Sequence, residues 1–249
     1  MWGISNFLAD LKILNRKVRL YDIPIQSKEL IELESEFECR NNEDISHVIK
    51  EVEFTLDECV SGTIPAEIAY FTFYMSLNFI PNYNLDFDNQ DPFHNDKINY
   101  RNNDIDSYTF QLEIVAMNRD SDEFYNCWHL DRHITGGDLS KVIHPFYHFQ
   151  NGGNRMEKYN NDIKLAVFTS APRLPHPPMD LFLAFHFVIT NFYNKNSFSN
   201  IANLLNDDEY IEIIENAQKR MWKPYYAAFN GGAHTDYSIP NITPLYTVH

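Results

Sequence analysis

Three residues at alternate positions, His129, Asp131 and His133, open the stretch of this chain that is richest in chemistry. Residues 124–180 hold five of its ten histidines: His129, His133, His144, His148 and His176. Phe124 to Ile134 is aromatic and β-favouring, so it reads as a strand. Alternation then puts Tyr125, Cys127, His129, Asp131 and His133 on one face, with Phe124, Asn126, Trp128 and Leu130 on the other. Imidazole and carboxylate side by side can hold a divalent ion such as zinc or manganese, or iron, and can also move protons.

A second row follows, with His144, Phe146, His148 and Gln150 on one face of Ile143 to Gln150 and Pro145, Tyr147 and Phe149 opposite. Asn151-Gly152-Gly153-Asn154 supplies a turn that tolerates positive φ. Pairing of the two strands would bring both rows together. The metal set expected from this convergence is His129, Asp131, His133, His144 and His148. His129, Asp131, His133 and His148, with Tyr147, are the expected proton-transfer and catalytic groups, and Arg155, Arg173 and His176 the expected substrate contacts. The other reading of the same residues is a hydrogen-bonded structural network, because the chain has no HExxH helix, CxxC pair or HxHxDH string. Cys127 shares the histidine face, which raises a Cys-His nucleophile, but no local signature of a cysteine hydrolase accompanies it.

The elements that must carry these groups are legible in outline. A first helix is expected from Ser5, with Phe7, Leu8, Leu11, Leu14 and Val18 at helical spacing, limited by Pro24. Leu30 to Cys39 alternates, with Ile31, Leu33, Phe37 and Cys39 opposite Glu32, Glu34, Glu36 and Glu38. This predicts a half-buried strand with an acidic outer face. It would form a hairpin with a second strand, in which Val48, Val52, Phe54 and Leu56 share one face. Further strands are expected over Ala66–Phe79, Tyr108–Ala116 and Leu165–Thr169, with a polar loop at 81–106 that contains His94.

Pro172-Arg173-Leu174-Pro175-His176-Pro177-Pro178-Met179-Asp180 holds Arg173 and His176 in an extended backbone, which suits recognition of a phosphate or carboxylate. It equally suits a proline-stiffened crossover into the helix that Asp180 would cap. Leu181–Tyr193 reads as a central buried helix in which His186 is a satisfied core histidine. Asp207–Trp222 reads as an amphipathic helix that Pro224 stops or kinks, followed by an irregular tail over 231–249.

Composition narrows the function classes. The formal charge of −15 and pI near 5.0 oppose attraction to nucleic-acid phosphates and anionic membranes. The apolar run at Leu181–Tyr193 is too short to span a bilayer, and the first residues do not read as a secretory signal. Cys39, Cys59 and Cys127 are few and widely spaced, as in a reducing compartment. A soluble, cytoplasmic protein of one domain over 1–249 is expected, with no membrane partner and no nucleic acid.

Trp128-His129-Leu130-Asp131, His144-Pro145-Phe146-Tyr147-His148-Phe149 with Gly152-Gly153, and the Pro172–Asp180 run together resemble the signature of a family of uncharacterised bacterial proteins, over roughly 105–225. The resemblance implies no particular activity. Some members lie beside mobile-element or anti-phage genes, which points to bacterial defence or conflict.

The expected architecture is α+β: an antiparallel sheet from residues 30–170, covered on one face by helices at 179–194 and 207–222. The expected function is a metal-binding or histidine-based hydrolase acting on a phosphate ester. The alternative is a non-catalytic binding or scaffold protein that recognises a protein partner and uses the histidines structurally.

Overall fold

A computed structural model of the chain describes residues 3–42, 44–58, 60, 63, 67–81, 105–132, 145, 147–152, 156 and 174–227. Residues 82–104 of the loop expected at 81–106, the strand at Leu165–Thr169 and the tail at 231–249 lie outside the described residues, as do His94 and Cys59, while Pro81, Ile105 and Asp106 belong to strands.

Phe71, Phe73, Met75, Leu77 and Phe79 alternate with polar or smaller residues, and so do Tyr108, Phe110, Leu112, Ile114 and Ala116. Each series buries one face of a long strand, β2 (Ile68–Pro81) and β3 (Ile105–Asn118). These form the middle of an antiparallel meander, completed by β1 (His47–Leu56), β4 (Glu123–Arg132), β5 (Tyr147–Asn151) and β6 (Leu174–Pro175) in the order β1-β2-β3-β4-β5-β6. The fold is α+β.

The tight connection of β3 to β4 has a visible cause. The Oδ1 of Asn118 accepts from the amides of Asp120 and Asp122, its amide nitrogen donates to the Asp122 carboxylate, and Ser121 takes a φ of 67°. That turn sets Gln111 opposite His129 and Thr109 opposite Asp131.

The helices pack on the apolar face of this sheet. They are α1 (Ile4–Leu20), α2 (Lys28–Cys39), α3 (Leu181–Phe192), α4 (Ser199–Leu205) and α5 (Asp208–Ala227). Phe185 of α3 meets Phe54 at 5.5 Å between ring centroids, Phe192 meets Phe73 at 4.5 Å, and Phe187 meets Phe110 at 5.9 Å. A fully buried aromatic such as Phe54, Phe73 or Phe185 contributes about 2–3 kcal/mol by area. Asp180 caps α3 by accepting from the Leu183 amide, and its other oxygen receives Nε of Arg220 from α5. Arg220 also donates to Asp10 of α1 at 2.7 Å, so one guanidinium ties three helices together.

Five expectations need correction. Residues 28–39 form a helix, because Leu30, Leu33 and Phe37 recur at 3.6-residue spacing and are the buried ones, while Ile31 is exposed. The strand paired with β1 is therefore β2, and no hairpin runs from residues 30–39. Within β1 the phase changes: Val48 is 57% exposed and Ile49 is buried, because a bulge between Ile49 and Val52 shifts the register. Gly3, not Ser5, stands at the N-cap of α1, and α5 continues past Pro224 to Ala227.

Candidate functional site

Strands β4 and β5 pair in the register that brings the two histidine rows together: His129 faces Gln150 and Asp131 faces His148. The face opposite holds Leu130 and Phe149, which belong to the helix side, so the histidine row lies on the other side of the sheet. The strands are pinned from beneath. Phe149 stacks on Trp128 at 5.3 Å, on Phe110 at 6.3 Å and against Phe187 of α3 at 5.3 Å. Such a packed underside holds the row above it in place.

The turn after β5 then acts on His129 directly. Gly152 takes a φ of 84°, open to glycine without steric cost, and its amide donates to the Cys127 carbonyl at 2.8 Å. Its own carbonyl accepts from Nδ1 of His129 at 3.2 Å. A carbonyl can only accept, so Nδ1 carries a proton and, in the neutral ring, Nε2 carries a lone pair. Nε2 lies 3.5 Å from Oδ2 of Asp131. A lone pair beside a carboxylate is favourable only with a proton or a cation shared between them. The His148 ring stands 6.2 Å away, edge-on to His129. Exposure grades across the group: the side chain of Asp131 is 35% exposed and that of His129 12%, whereas His148 and Gln150 are buried.

The other expected residues divide clearly. Tyr147 is buried on the helix side, its ring 5.9 Å from Tyr108, and its carbonyl accepts from the His176 amide. Strand alternation keeps it from His129 and His148. His176 leans on Phe149 at 5.4 Å, and its Nδ1 donates to the Pro177 carbonyl at 2.6 Å, with burial lowering its pKa. His133, His144, Arg155 and Arg173 lie outside the described residues. Among the described residues no group of three or more His, Cys, Asp or Glu side chains is placed to hold a metal ion. Cys127 is buried in the strand, its thiol directed to the Trp128 carbonyl at 3.7 Å.

His186 hydrogen-bonds the Tyr210 hydroxyl at 3.0 Å between α3 and α5, and burial lowers its pKa. Sequence reasoning did not single out Gln111, Thr109, Ser76 and Asn78. Register carries the same polar face across to them: Gln111 sits between Ser76 and His129, and Thr109 between Asn78 and Asp131. The signal was present in the polar phase of β3, but only the strand order says that this phase continues the histidine row.

Among the described residues no helix is long and apolar enough to cross a membrane. No protein-family model, curated protein or solved structure matches the chain.

Proposed function

We propose that the His129–Asp131–His148 face is a hydrolytic centre that works through a divalent ion, zinc or manganese, on a phosphate ester. One observation carries the reading: Gly152 engages Nδ1 of His129 and so leaves Nε2 as the free ring atom, 3.5 Å from the Asp131 carboxylate. Histidines that ligate metals are oriented in this way, the second ring nitrogen donating to a backbone carbonyl. The same tautomer serves a general base, since Nε2 accepts the proton and Asp131 stabilises the resulting imidazolium. A bound ion would lower the pKa of a coordinated water and so supply the nucleophile. Asp131 is the most exposed member of the group, its side chain 35% open to solvent.

Metal content decides the matter. Plasma mass spectrometry on tag-free protein should find near-stoichiometric zinc or manganese in wild type and its loss in folded His129→Ala and His148→Ala variants. Protein that stays empty, with no thermal shift on metal addition, overturns the proposal.

A second reading has its own support, the near-complete burial of His148 and Gln150, 3% and 4% exposed. Buried polar groups of this kind serve as structural networks, and the protein would then be a non-catalytic binding module for a protein partner. Under that reading His148→Ala loses fold stability and no metal.

A further inference from the structure

The polar face extends beyond the catalytic candidates in two straight lines. Antiparallel register aligns Ser76, Gln111, His129 and Gln150 across β2, β3, β4 and β5, and in the next line Asn78, Thr109, Asp131 and His148. Partners in a line have Cβ atoms about 4.5–5.5 Å apart, so their side chains form one surface. Four strands at the usual spacing make that strip roughly 14 Å long. Asp131 holds the one permanent charge among these eight residues; the others are hydroxyls, carboxamides and imidazoles.

Within the strip, Oε1 of Gln111 is buried and receives no hydrogen bond from the described residues. A buried acceptor without a donor destabilises the fold, and an apolar side chain of the same size would not. The position is directly beside His129, and the next line holds the Asp131 carboxylate. An acceptor in that place repels an anion and accepts an O–H donor. The hydroxyls of Ser76 and Thr109 both donate and accept, so the strip offers the mixed pattern that a row of alcohol groups requires. Asn78 is held ready by the bond from its Nδ2 to Oγ of Ser107, 2.8 Å.

We propose that this strip binds a neutral polyhydroxyl group, a pentose or hexose ring, with one hydroxyl donating to Oε1 of Gln111. The inference rests on the hydrolytic reading above and gives it a substrate class: the alcohol half of the ester is a sugar, lying across Gln111, Thr109 and Ser76, and the phosphate belongs to the His129 end.

Saturation-transfer NMR on the full chain, with D-ribose and D-glucose in EDTA, tests it on wild type, Gln111→Leu and Thr109→Val. Wild type should saturate at least one of the two sugars. Gln111→Leu should bind about tenfold more weakly, the worth of one hydrogen bond, at an unchanged or higher melting temperature. Thr109→Val, which keeps shape and strand preference, should fall in between. Absence of transfer from wild type, or equal transfer in Gln111→Leu, overturns the proposal. Transfer that appears only with added manganese assigns the missing donor to metal-bound water, and also overturns it while leaving the metal centre intact. Sugar binding in EDTA by a protein that takes up no metal upholds the strip and removes the hydrolytic step instead.

Discussion

His129 has two ring nitrogens, and the fold treats them differently. One donates to the Gly152 carbonyl, the other faces Asp131. His129→Gln keeps a polar side chain but loses the tautomer, so metal content and any hydrolytic rate should fall by at least tenfold while circular dichroism stays unchanged. His47 shows the contrasting fate of a histidine. It is buried among Phe7, Phe37 and Phe79, its Nδ1 bonded to the Ile45 carbonyl and its Nε2 without a partner among the described residues. Burial lowers its pKa from 6.5 to about 4. The unfolded chain takes up this proton near 6.5, whereas the folded protein refuses it until about 4. Stability from this group is therefore full above pH 6.5 and is lost as pH falls toward 4, by on the order of 3 kcal/mol. Urea denaturation at pH 7 and pH 4.5 should show a loss of that order in wild type beyond the loss in His47→Phe.

At the scale of elements, residues 28–39 are the instructive case. Ile31, Leu33 and Phe37 fit a period of two, but Leu30, Leu33 and Phe37 fit 3.6 as well, and glutamate and lysine favour the helix. The two periods assign Leu30 and Ile31 opposite environments. Leu30→Ala should cost 2–5 kcal/mol, roughly the range for a buried leucine, and Ile31→Ala about 0.5 kcal/mol or less. Chemical denaturation separates the two, and equal costs would contradict the helix. Asp180 was legible as a cap because aspartate before an apolar run accepts the first free amides. Its second role, receiving Arg220 from forty residues further along the chain, was not. Asp180→Ala removes the cap and leaves Arg220 with Asp10 alone, a loss of about 3 kcal/mol by guanidinium unfolding. Asp180→Asn keeps the cap and should recover about 1 kcal/mol of it.

Across the whole molecule, β2 and β3 lie in the middle of the sheet, paired on both sides, and make its longest ladder. Their amides should exchange with solvent slowest, through global unfolding alone. β6, two residues at the edge, should exchange orders of magnitude faster. Hydrogen exchange read by mass spectrometry checks this order, and β6 protected as strongly as β3 would refute it. The same gradient crosses the candidate site: His129 and Asp131 stand on β4, inside the sheet, while His148 is on β5, held on its outer side by the two residues of β6.

The sequence by itself determined what local chemistry determines. Alternation in β2, β3 and β4, the cap at Asp180, the apolar run of α3 and the positive φ of Gly152 all follow from residues within a few positions of one another. So does the choice of faces that set His129 and Asp131 on one side and Trp128 and Leu130 on the other. Tertiary structure decided whatever depends on which segments meet. It chose the helical period for residues 28–39, because α1 and the β1 end of the sheet needed an apolar helix face to pack against. It chose β2 over that segment as the partner of β1. It also fixed the register that sets Gln111 beside His129 and His148 beside Asp131, because pairing between strands depends on turns and packing that no single strand encodes.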